Sequence, residues 1–249
     1  MVIPDQDGVI WLPECASTND EAWLRAADPA VKAVVAHRQT AGRGRRGRAW
    51  TSPPGSGLYL TWLARPGFPA SDGGALPLLA AVAVAELATR AGAKPWLKWP
   101  NDVWVGDGKL AGILTEARTD GAAWAAVVGV GLNLRTPKDG WPAGVPAVAL
   151  DAVAPDVPEP HAAAKDLLQR LARWQAKVEA DGFAPLIEAW GQWAPPEGTV
   201  FEQAGHRGAF LGLAEDGALR LRDAEGAEIL IRTGEVHLVE AAPNPEEPL

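Results

Sequence analysis

The sequence predicts an α+β protein, in which a main domain of strands and helices precedes a small all-β module. Short apolar strands alternate with helical segments over most of the chain, and residues 76–90 are apolar on nearly every face, as in a buried helix. After residue 194 the pattern changes to short alternating strands separated by glycine turns. We therefore expect a mixed sheet with flanking helices at residues 1–194, a barrel at 195–240 and a flexible tail at 241–249.

Local patterns define the strands of the main domain. Residues 9–12 are apolar and predict the first strand, and Ser17 followed by Asp20 and Glu21 marks the start of a helix that runs to about residue 27. The segment Gly106-Asp107-Gly108 is typical of a hairpin turn. The expected strands are residues 9–12, 33–37, 57–63, 97–99, 103–105, 110–116 and 124–132.

Further helices and a linker complete the order. Residues 76–90 predict a helix, which tolerates Pro77 in its first turn. Residues 162–180 and 183–193 predict amphipathic helices. The segment Ala194-Pro195-Pro196-Glu197-Gly198 is a linker signal. The strands expected beyond it are residues 199–203, 207–213, 218–222, 228–232 and 236–239.

Composition excludes several classes of protein. The chain has 249 residues, of which 47% are hydrophobic and 22% charged, as in an ordinary globular protein. Its formal net charge of -8 argues against a protein that coats nucleic acid. The single cysteine, Cys15, excludes an internal disulfide, suits a reducing cytosol and is best interpreted as a small buried hydrophobe. Without a signal peptide or a spanning segment, we expect a cytoplasmic protein with no membrane partner.

Residues 42–48 alternate three glycines with four arginines, which is unusual on an acidic protein. Glycine lets the backbone approach a ligand closely, and the planar guanidinium suits phosphate oxygens. Trp50 follows, and its ring could stack on a nucleotide base or pack into a core. This segment alone leaves two interpretations open, a loop that holds an anionic ligand or a solvated Arg-Gly segment that binds RNA.

Several ordered motifs resemble those of biotin-protein ligases. They are Ser17-Thr18-Asn19, the run 39–48, Trp50, Lys98-Trp99-Pro100-Asn101-Asp102, residues 109–114 and Gly129-Val130-Gly131-Leu132-Asn133. The resemblance implies a catalytic fold like that of class II aminoacyl-tRNA synthetases, and an SH3-like barrel at the C-terminus. The matching pattern starts near residue 10, so we expect a short form without the N-terminal DNA-binding domain of longer members, and no DNA partner.

The chemistry of such a ligase explains the cations. A carboxylate becomes reactive when ATP converts it to a mixed anhydride, and cations must lie where the two negative reactants meet. The resemblance implies that the enzyme forms biotinyl-5′-AMP from biotin and ATP, with Mg²⁺ neutralising the triphosphate. It would then transfer biotin to one lysine of the biotin carboxyl carrier domain of a biotin-dependent carboxylase. Assembly as a homodimer stays open.

The resemblance also implies the site residues. Those expected to bind biotin are Ser17, Thr18, Asn19, Gln39, Gly42, Arg43, Lys109 and Gly112. Those expected to bind the nucleotide are Arg43, Arg45, Arg46, Arg48, Trp50, Asn101 and Asn133, and the catalytic residues are Lys109, Arg45 and Asp102. The metal ligands are not indicated.

Structural alternatives to these roles stay open in the sequence. Ser17 could simply cap a helix, and Lys109 could be a solvated charge. Asn133, at a strand end, is either a turn residue or a nucleotide and metal contact. Asp102 is either a turn residue after Pro100, or a group that orients the incoming amine, accepts its proton or helps to hold metal. Two other functions compete with biotin ligation, namely a lipoate-protein ligase or octanoyltransferase, and an RNA-binding module.

Overall fold

The computed structural model describes residues 4–120 and 123–240. The expected flexible tail, residues 241–249, lies outside these ranges. The strands of the first sheet are β1 (Val9–Leu12), β2 (Ala33–Ala36), β3 (Gly57–Ala64), β4 (Pro95–Lys98), β5 (Asp102–Val105), β6 (Gly108–Asp120) and β7 (Ala123–Asn133). Each predicted strand is therefore present, with ends that differ by a few residues.

The first sheet has seven strands in the order β1-β2-β3-β7-β6-β5-β4. The β1–β2 pair is parallel and the remaining pairs are antiparallel, which confirms the mixed sheet. The pairing of β5 with β6 shifts register between Val103 and Trp104. This bulge explains why the apolar residues of β6 do not alternate regularly in the sequence, because an extra residue reverses the facing of those that follow.

The helices are α1 (Thr18–Trp23), α2 (Ala75–Arg90), α3 (Pro160–Asp181) and α4 (Ala184–Gly191). Helix α2 is buried along almost its whole length, as its uniform apolarity predicted. The predicted extension of α1 to about residue 27 is wrong. After Trp23 the backbone tightens, since Arg25 N donates to Ala22 O and Ala26 N donates to Trp23 O in place of regular helical bonds.

The C-terminal module is a second sheet of five antiparallel strands. They are β8 (Val200–Gln203), β9 (His206–Leu213), β10 (Leu219–Arg222), β11 (Glu228–Ile231) and β12 (His237–Glu240), in the order β11-β10-β9-β8-β12. All five strands predicted after the linker are confirmed. The SH3-like closure of this sheet stays a prediction.

The second sheet packs against the main domain through apolar residues. Phe201 and Phe210 belong to the same buried cluster as α2, and the ring of Trp190 lies 6.2 Å from that of Phe210. Trp99 is buried, and its Nε1 donates to Gly217 O at 3.1 Å. The second sheet is thereby fixed beside the end of β4. Within the described ranges, each helix is too short or too polar to cross a membrane.

Candidate active site

One cavity collects most of the predicted site residues. It lies where α1, the Arg-Gly loop and strands β5, β6 and β7 meet. Its lining residues are Ser17, Thr18, Asn19, Gln39, Arg43, Gly44, Arg45, Arg48, Ala49, Trp50, Asn101, Asp102, Lys109, Gly112, Ile113, Leu114, Gly129, Val130, Gly131 and Glu235. Three predicted residues, Gly42, Arg46 and Asn133, lie outside this lining.

Neutral polar residues form one part of the cavity. Ser17, Thr18 and Asn19 are buried at the start of α1, and Gln39 Oε1 accepts from Thr18 N at 2.8 Å and from Thr18 Oγ1 at 3.1 Å. Ser17 occupies the N-cap position of α1 but makes no side-chain cap bond, so the capping interpretation of its hydroxyl is wrong. These side chains offer uncharged donors and acceptors to a ligand.

Thr61 lies behind Thr18 and Asn19, and it was not among the site residues predicted from the sequence. It is on β3 with 0% exposure, and its Oγ1 lies 2.8 Å from Thr18 Oγ1 and 2.7 Å from Asn19 Oδ1. A threonine inside an apolar strand looks like any other β-branched strand former, so the sequence alone gave no signal for it.

Acidic partners hold the Arg-Gly loop. Arg43 forms a forked ion pair with Asp20, at 2.6 and 2.7 Å, and also contacts Glu116 at 3.1 Å. The hydrogen bond with Asp20 raises the pKa of Arg43 and lowers that of Asp20. Arg48 pairs at 2.8 Å with Glu235, which lies between β11 and β12 of the C-terminal module. These acids offset the repulsion between neighbouring arginines.

Arg45 is the arginine placed deepest in the cavity. Its Nη1 donates to Asn101 Oδ1 at 3.1 Å, and burial lowers the pKa of its guanidinium. Arg46 differs, because it is exposed and adopts a positive φ of 55°. The loop therefore directs Arg43, Arg45 and Arg48 to the cavity.

Two glycines leave room for the ring of Trp50 against the sheet. A Cβ built on Gly131 would lie 2.3 Å from Trp50 Cε2, and one on Gly112 would lie 3.0 Å from Trp50 Cζ3. Gly42 allows a close approach of the backbone instead, since a Cβ built there would lie 2.5 Å from the main-chain oxygen of Trp50. The indole Nε1 is buried without a partner among the described residues, so it has a hydrogen to donate to a ligand. Glycines at these positions allow the ring to lie directly on the sheet.

Gly131→Ala is expected to displace Trp50 and to raise the KM for ATP by roughly tenfold, because one aromatic stacking contact contributes about 1–3 kcal/mol. Steady-state kinetics with ATP varied checks this. Gly191→Ala is the matched control, since a Cβ there meets nothing within 4 Å. An unchanged KM for ATP in a variant whose tryptophan fluorescence shows that Trp50 has moved would separate the ring from nucleotide binding.

Lys109 and Asp102 form an ion pair on the floor of the cavity. Lys109 Nζ lies 2.8 Å from Asp102 Oδ1, with side chains that are 28% and 9% exposed. Asp102 Oδ1 accepts no regularly oriented hydrogen bond from the described residues, so the contact is electrostatic rather than directional. Lys109 Nζ also lies 5.5 Å from the centroid of the Trp50 ring. The interpretation of Lys109 as a solvated charge is wrong, because its ammonium is paired with a buried carboxylate. The interpretation of Asp102 as a turn residue is also wrong, because Asp102 begins β5.

Glu235 and Lys98 add charge that the sequence analysis did not assign to the site. Glu235 is 13% exposed, and its Oε2 is buried with no hydrogen-bond partner among the described residues. Lys98 lies opposite Asp102 in the β4–β5 pair, and burial lowers its pKa while Asp102 and Glu235 oppose that effect. Cations from the main domain thus face the carboxylate of Glu235, from the C-terminal module.

Asn133 and Cys15 lie outside the cavity lining. Asn133 Nδ2 donates to Lys109 O at 3.2 Å and to Val148 O at 3.0 Å, so it fastens the segment at Val148 to the start of β6. Cys15 is buried, and burial raises the pKa of its thiol to about 11, which makes it a poor nucleophile at neutral pH. This agrees with its interpretation as a small buried hydrophobe.

The comparisons with known proteins identify the family. Residues 12–133 match the sequence model of the biotin/lipoate A/B protein ligase family. The chain is 36% identical over 226 residues to a biotin–[acetyl-CoA-carboxylase] ligase of Paracoccus denitrificans, covering 86% of this chain and 94% of that protein. The protein therefore belongs to this family of ligases, and the resemblance seen in the sequence is confirmed.

Other relatives agree with this assignment. The bifunctional ligase/repressor BirA of Escherichia coli is 34% identical over 198 residues, which cover 75% of this chain and 59% of that protein. The biotin protein ligase of Aquifex aeolicus, solved in complex with biotin and ATP, aligns with a TM-score of 0.78 at 27% identity, covering 94% of this chain and 99% of that chain. The predicted fold class is thereby confirmed.

Proposed function

We propose that the protein is an ATP-dependent biotin-protein ligase that forms biotinyl-5′-AMP and transfers biotin to a lysine of a biotin carboxyl carrier domain. The observation that carries this proposal is the continuity of the cavity. Neutral polar groups around Thr18 adjoin a cationic cluster around Lys109 and Arg45. The first suits the ureido ring of biotin, and the second suits a carboxylate meeting a phosphate.

In the first step, a carboxylate oxygen of biotin attacks the α-phosphorus of ATP and diphosphate leaves. Lys109 lies where both anions must converge, and Arg45 adds a second cation from the loop above. Trp50 offers a flat ring for the base, beside Asn101. Each group stabilises charge without a change in its own protonation, so the loop and the sheet act as a preorganised electrostatic site.

In the second step, the amine of the acceptor lysine attacks the carbonyl of the anhydride and AMP leaves. The amine attacks in its neutral form, and its nitrogen must give up a proton as the amide forms. Asp102 is the buried carboxylate of the cavity floor. We assign to Asp102 the orientation of this amine and the acceptance of its proton. Its ion pair with Lys109 couples the two steps, because Lys109 acts on the two anions of the first step and Asp102 acts on the amine of the second.

Magnesium fits the donor set as an ion that arrives with the nucleotide. The described residues hold no cluster of three or more histidine, cysteine, aspartate or glutamate side chains. Of the residues that the structure describes, Asp102 and Glu235 are the two carboxylates that line the cavity. Mg²⁺ commonly binds one or two carboxylates together with substrate phosphates. They would hold the ion, which would neutralise the triphosphate when bound.

The C-terminal sheet belongs to this proposal as a separate module. We place the domain boundary between residues 194 and 195, and we assign to the module the role of presenting Glu235 to Arg48. A lipoate-protein ligase would have a pocket for an alkyl chain, for which the buried Thr18–Asn19 pair offers poor packing. An RNA-binding loop would present solvated arginines, whereas Arg43 is paired with two acids.

Incubation with biotin and ATP labelled at the α-phosphate tests the proposal. We expect a biotinyl-adenylate that depends on both substrates, and biotin on the acceptor lysine when a biotin carboxyl carrier domain is added. Lipoate and octanoate serve as matched competitors. Adenylate formed with lipoate but not with biotin would overturn the assignment.

Biotin and ATP together are expected to raise the melting temperature more than either substrate alone, because both meet beneath one loop. A tightly held intermediate at 100 times its dissociation constant would add about 2.7 kcal/mol to the free energy of unfolding. Thermal unfolding with biotin, ATP, both, or lipoate and ATP measures this. A rise with lipoate and none with biotin would contradict the expectation.

A further inference from the structure

We propose that Thr61 is a positioning residue that sets the hydrogen-bond polarity of Thr18 and Asn19, so that the pocket favours a ligand with an N–H donor. The inference deepens the proposed function and rests on it. Thr61 lies outside the motifs that carry the family resemblance and outside the cavity lining. It therefore acts through the two residues that it contacts.

The contacts place Thr61 at the centre of a polar relay. Its strand, β3, is paired on both sides, with β2 and β7, so its position is rigid. Thr61 Oγ1 lies 2.7 Å from Asn19 Oδ1 and 2.8 Å from Thr18 Oγ1. Since the hydroxyl is fully buried, each of these contacts must be a hydrogen bond or an unfavourable oxygen–oxygen contact.

The number of hydrogens decides the direction of these bonds. The Asn19 amide is oriented by Leu114 O, which accepts from Nδ2 at 3.4 Å, so Oδ1 faces Thr61. An amide oxygen only accepts, and a threonine hydroxyl has one hydrogen. Thr61 must donate that hydrogen to Asn19, and the 2.8 Å contact with Thr18 then requires the hydrogen of Thr18.

Thr18 consequently faces the cavity as an acceptor. Gln39 Oε1 lies 3.1 Å from Thr18 Oγ1 and competes with Thr61 for the hydroxyl hydrogen of Thr18. Whichever of the two accepts it, this hydrogen is bonded within the protein and is not donated to a ligand. Gln39 Nε2 donates one hydrogen to Ser52 Oγ at 3.0 Å and has a second to offer. The pocket thus combines an acceptor with a donor, which matches the N–H and carbonyl groups of a cyclic urea.

A ligand without an N–H group would leave the Thr18 oxygen unpaired. Sites built to pair with a polar group reject analogues that lack it far better than apolar pockets reject a methylene. A dithiolane or an alkyl chain would incur this penalty. Thr61 would then contribute to discrimination between biotin and other acids of similar length, although it touches neither.

Calorimetric titration of biotin into the 249-residue chain tests the inference. Thr61→Val keeps the branched shape suited to a strand and removes the hydroxyl, and Thr61→Ser restores it. We expect Thr61→Val to weaken biotin binding roughly tenfold, about the loss of one buried hydrogen bond. Thr61→Ser should bind biotin with a dissociation constant within about twofold of the wild-type value, because it keeps the hydroxyl. Thr199→Val is the matched control, since Thr199 is buried but bonds to Pro196 O in the linker region.

A second ligand separates positioning from a merely structural role. Biotin methylated at both ureido nitrogens has no N–H to offer, so the wild type should discriminate against it more strongly than Thr61→Val does. An equal ratio of the two dissociation constants in wild type and variant would overturn the inference, as would unchanged biotin binding by Thr61→Val. If that variant does not fold, Thr61→Ala takes its place with the same expectations. Failure of the wild type to bind biotin overturns the proposed function instead.

Discussion

Lys109→Ala is expected to slow formation of biotinyl-adenylate by roughly 10²–10³-fold, the scale on which one preorganised electrostatic group acts. Lys109 Nζ is held 2.8 Å from Asp102 and 5.5 Å from the Trp50 ring, so its position is fixed before substrates arrive. Its loss removes a cation where carboxylate and phosphate meet. It also leaves the buried carboxylate of Asp102 unpaired, which would repel both anionic substrates.

Single-turnover measurement with labelled ATP follows adenylate formation without the transfer step. Lys177→Ala is a suitable control, because Lys177 is an exposed lysine of α3 that pairs with Asp181. Melting temperatures should be compared first, so that a folding defect is not taken for a catalytic one. A rate for Lys109→Ala within a few-fold of the wild type would remove Lys109 from the catalytic group.

Arg45→Ala is expected to release the adenylate about 10–10²-fold faster, the equivalent of one charge-assisted hydrogen bond of about 1.5–3 kcal/mol. Initial biotin binding should change much less, because biotin presents one carboxylate, whereas the adenylate adds a phosphate and a base. Arg45 is the half-buried guanidinium of the loop and is oriented by Asn101. Faster escape would expose the reactive anhydride to other amines.

Promiscuous biotinylation of a bystander protein measures this escape directly. The reaction contains biotin, ATP and a protein without a carrier domain, and a blot then reports biotin on its lysines. Arg38→Ala removes the same charge from an exposed arginine that pairs with Glu14, and should resemble the wild type. Adenylate release from Arg45→Ala at the wild-type rate would mean that the loop does not retain the intermediate.

The sequence by itself determined the order and type of the elements. Strand and helix periodicities are local, so β3, α2 and the five strands of the second sheet could be identified from neighbouring residues alone. The motifs also determined most of the site. The Arg-Gly loop, the Lys109 segment and Ser17-Thr18-Asn19 occur in the order of the family. The fold brings Arg43, Arg45 and Arg48 of that loop to one cavity with Lys109 and Ser17-Thr18-Asn19.

Only the tertiary structure decided which side chains meet across long separations. Thr61 on β3 reaches Asn19 on α1, and Glu235 reaches Arg48 from the segment between β11 and β12, although nothing in their local sequence distinguishes them. The bulge beside Trp104 likewise depends on the partner strand. Local periodicity reflects the backbone of one element, whereas hydrogen bonds and ion pairs between elements depend on how buried surfaces pack, so the positioning groups of the site became visible only in the folded chain.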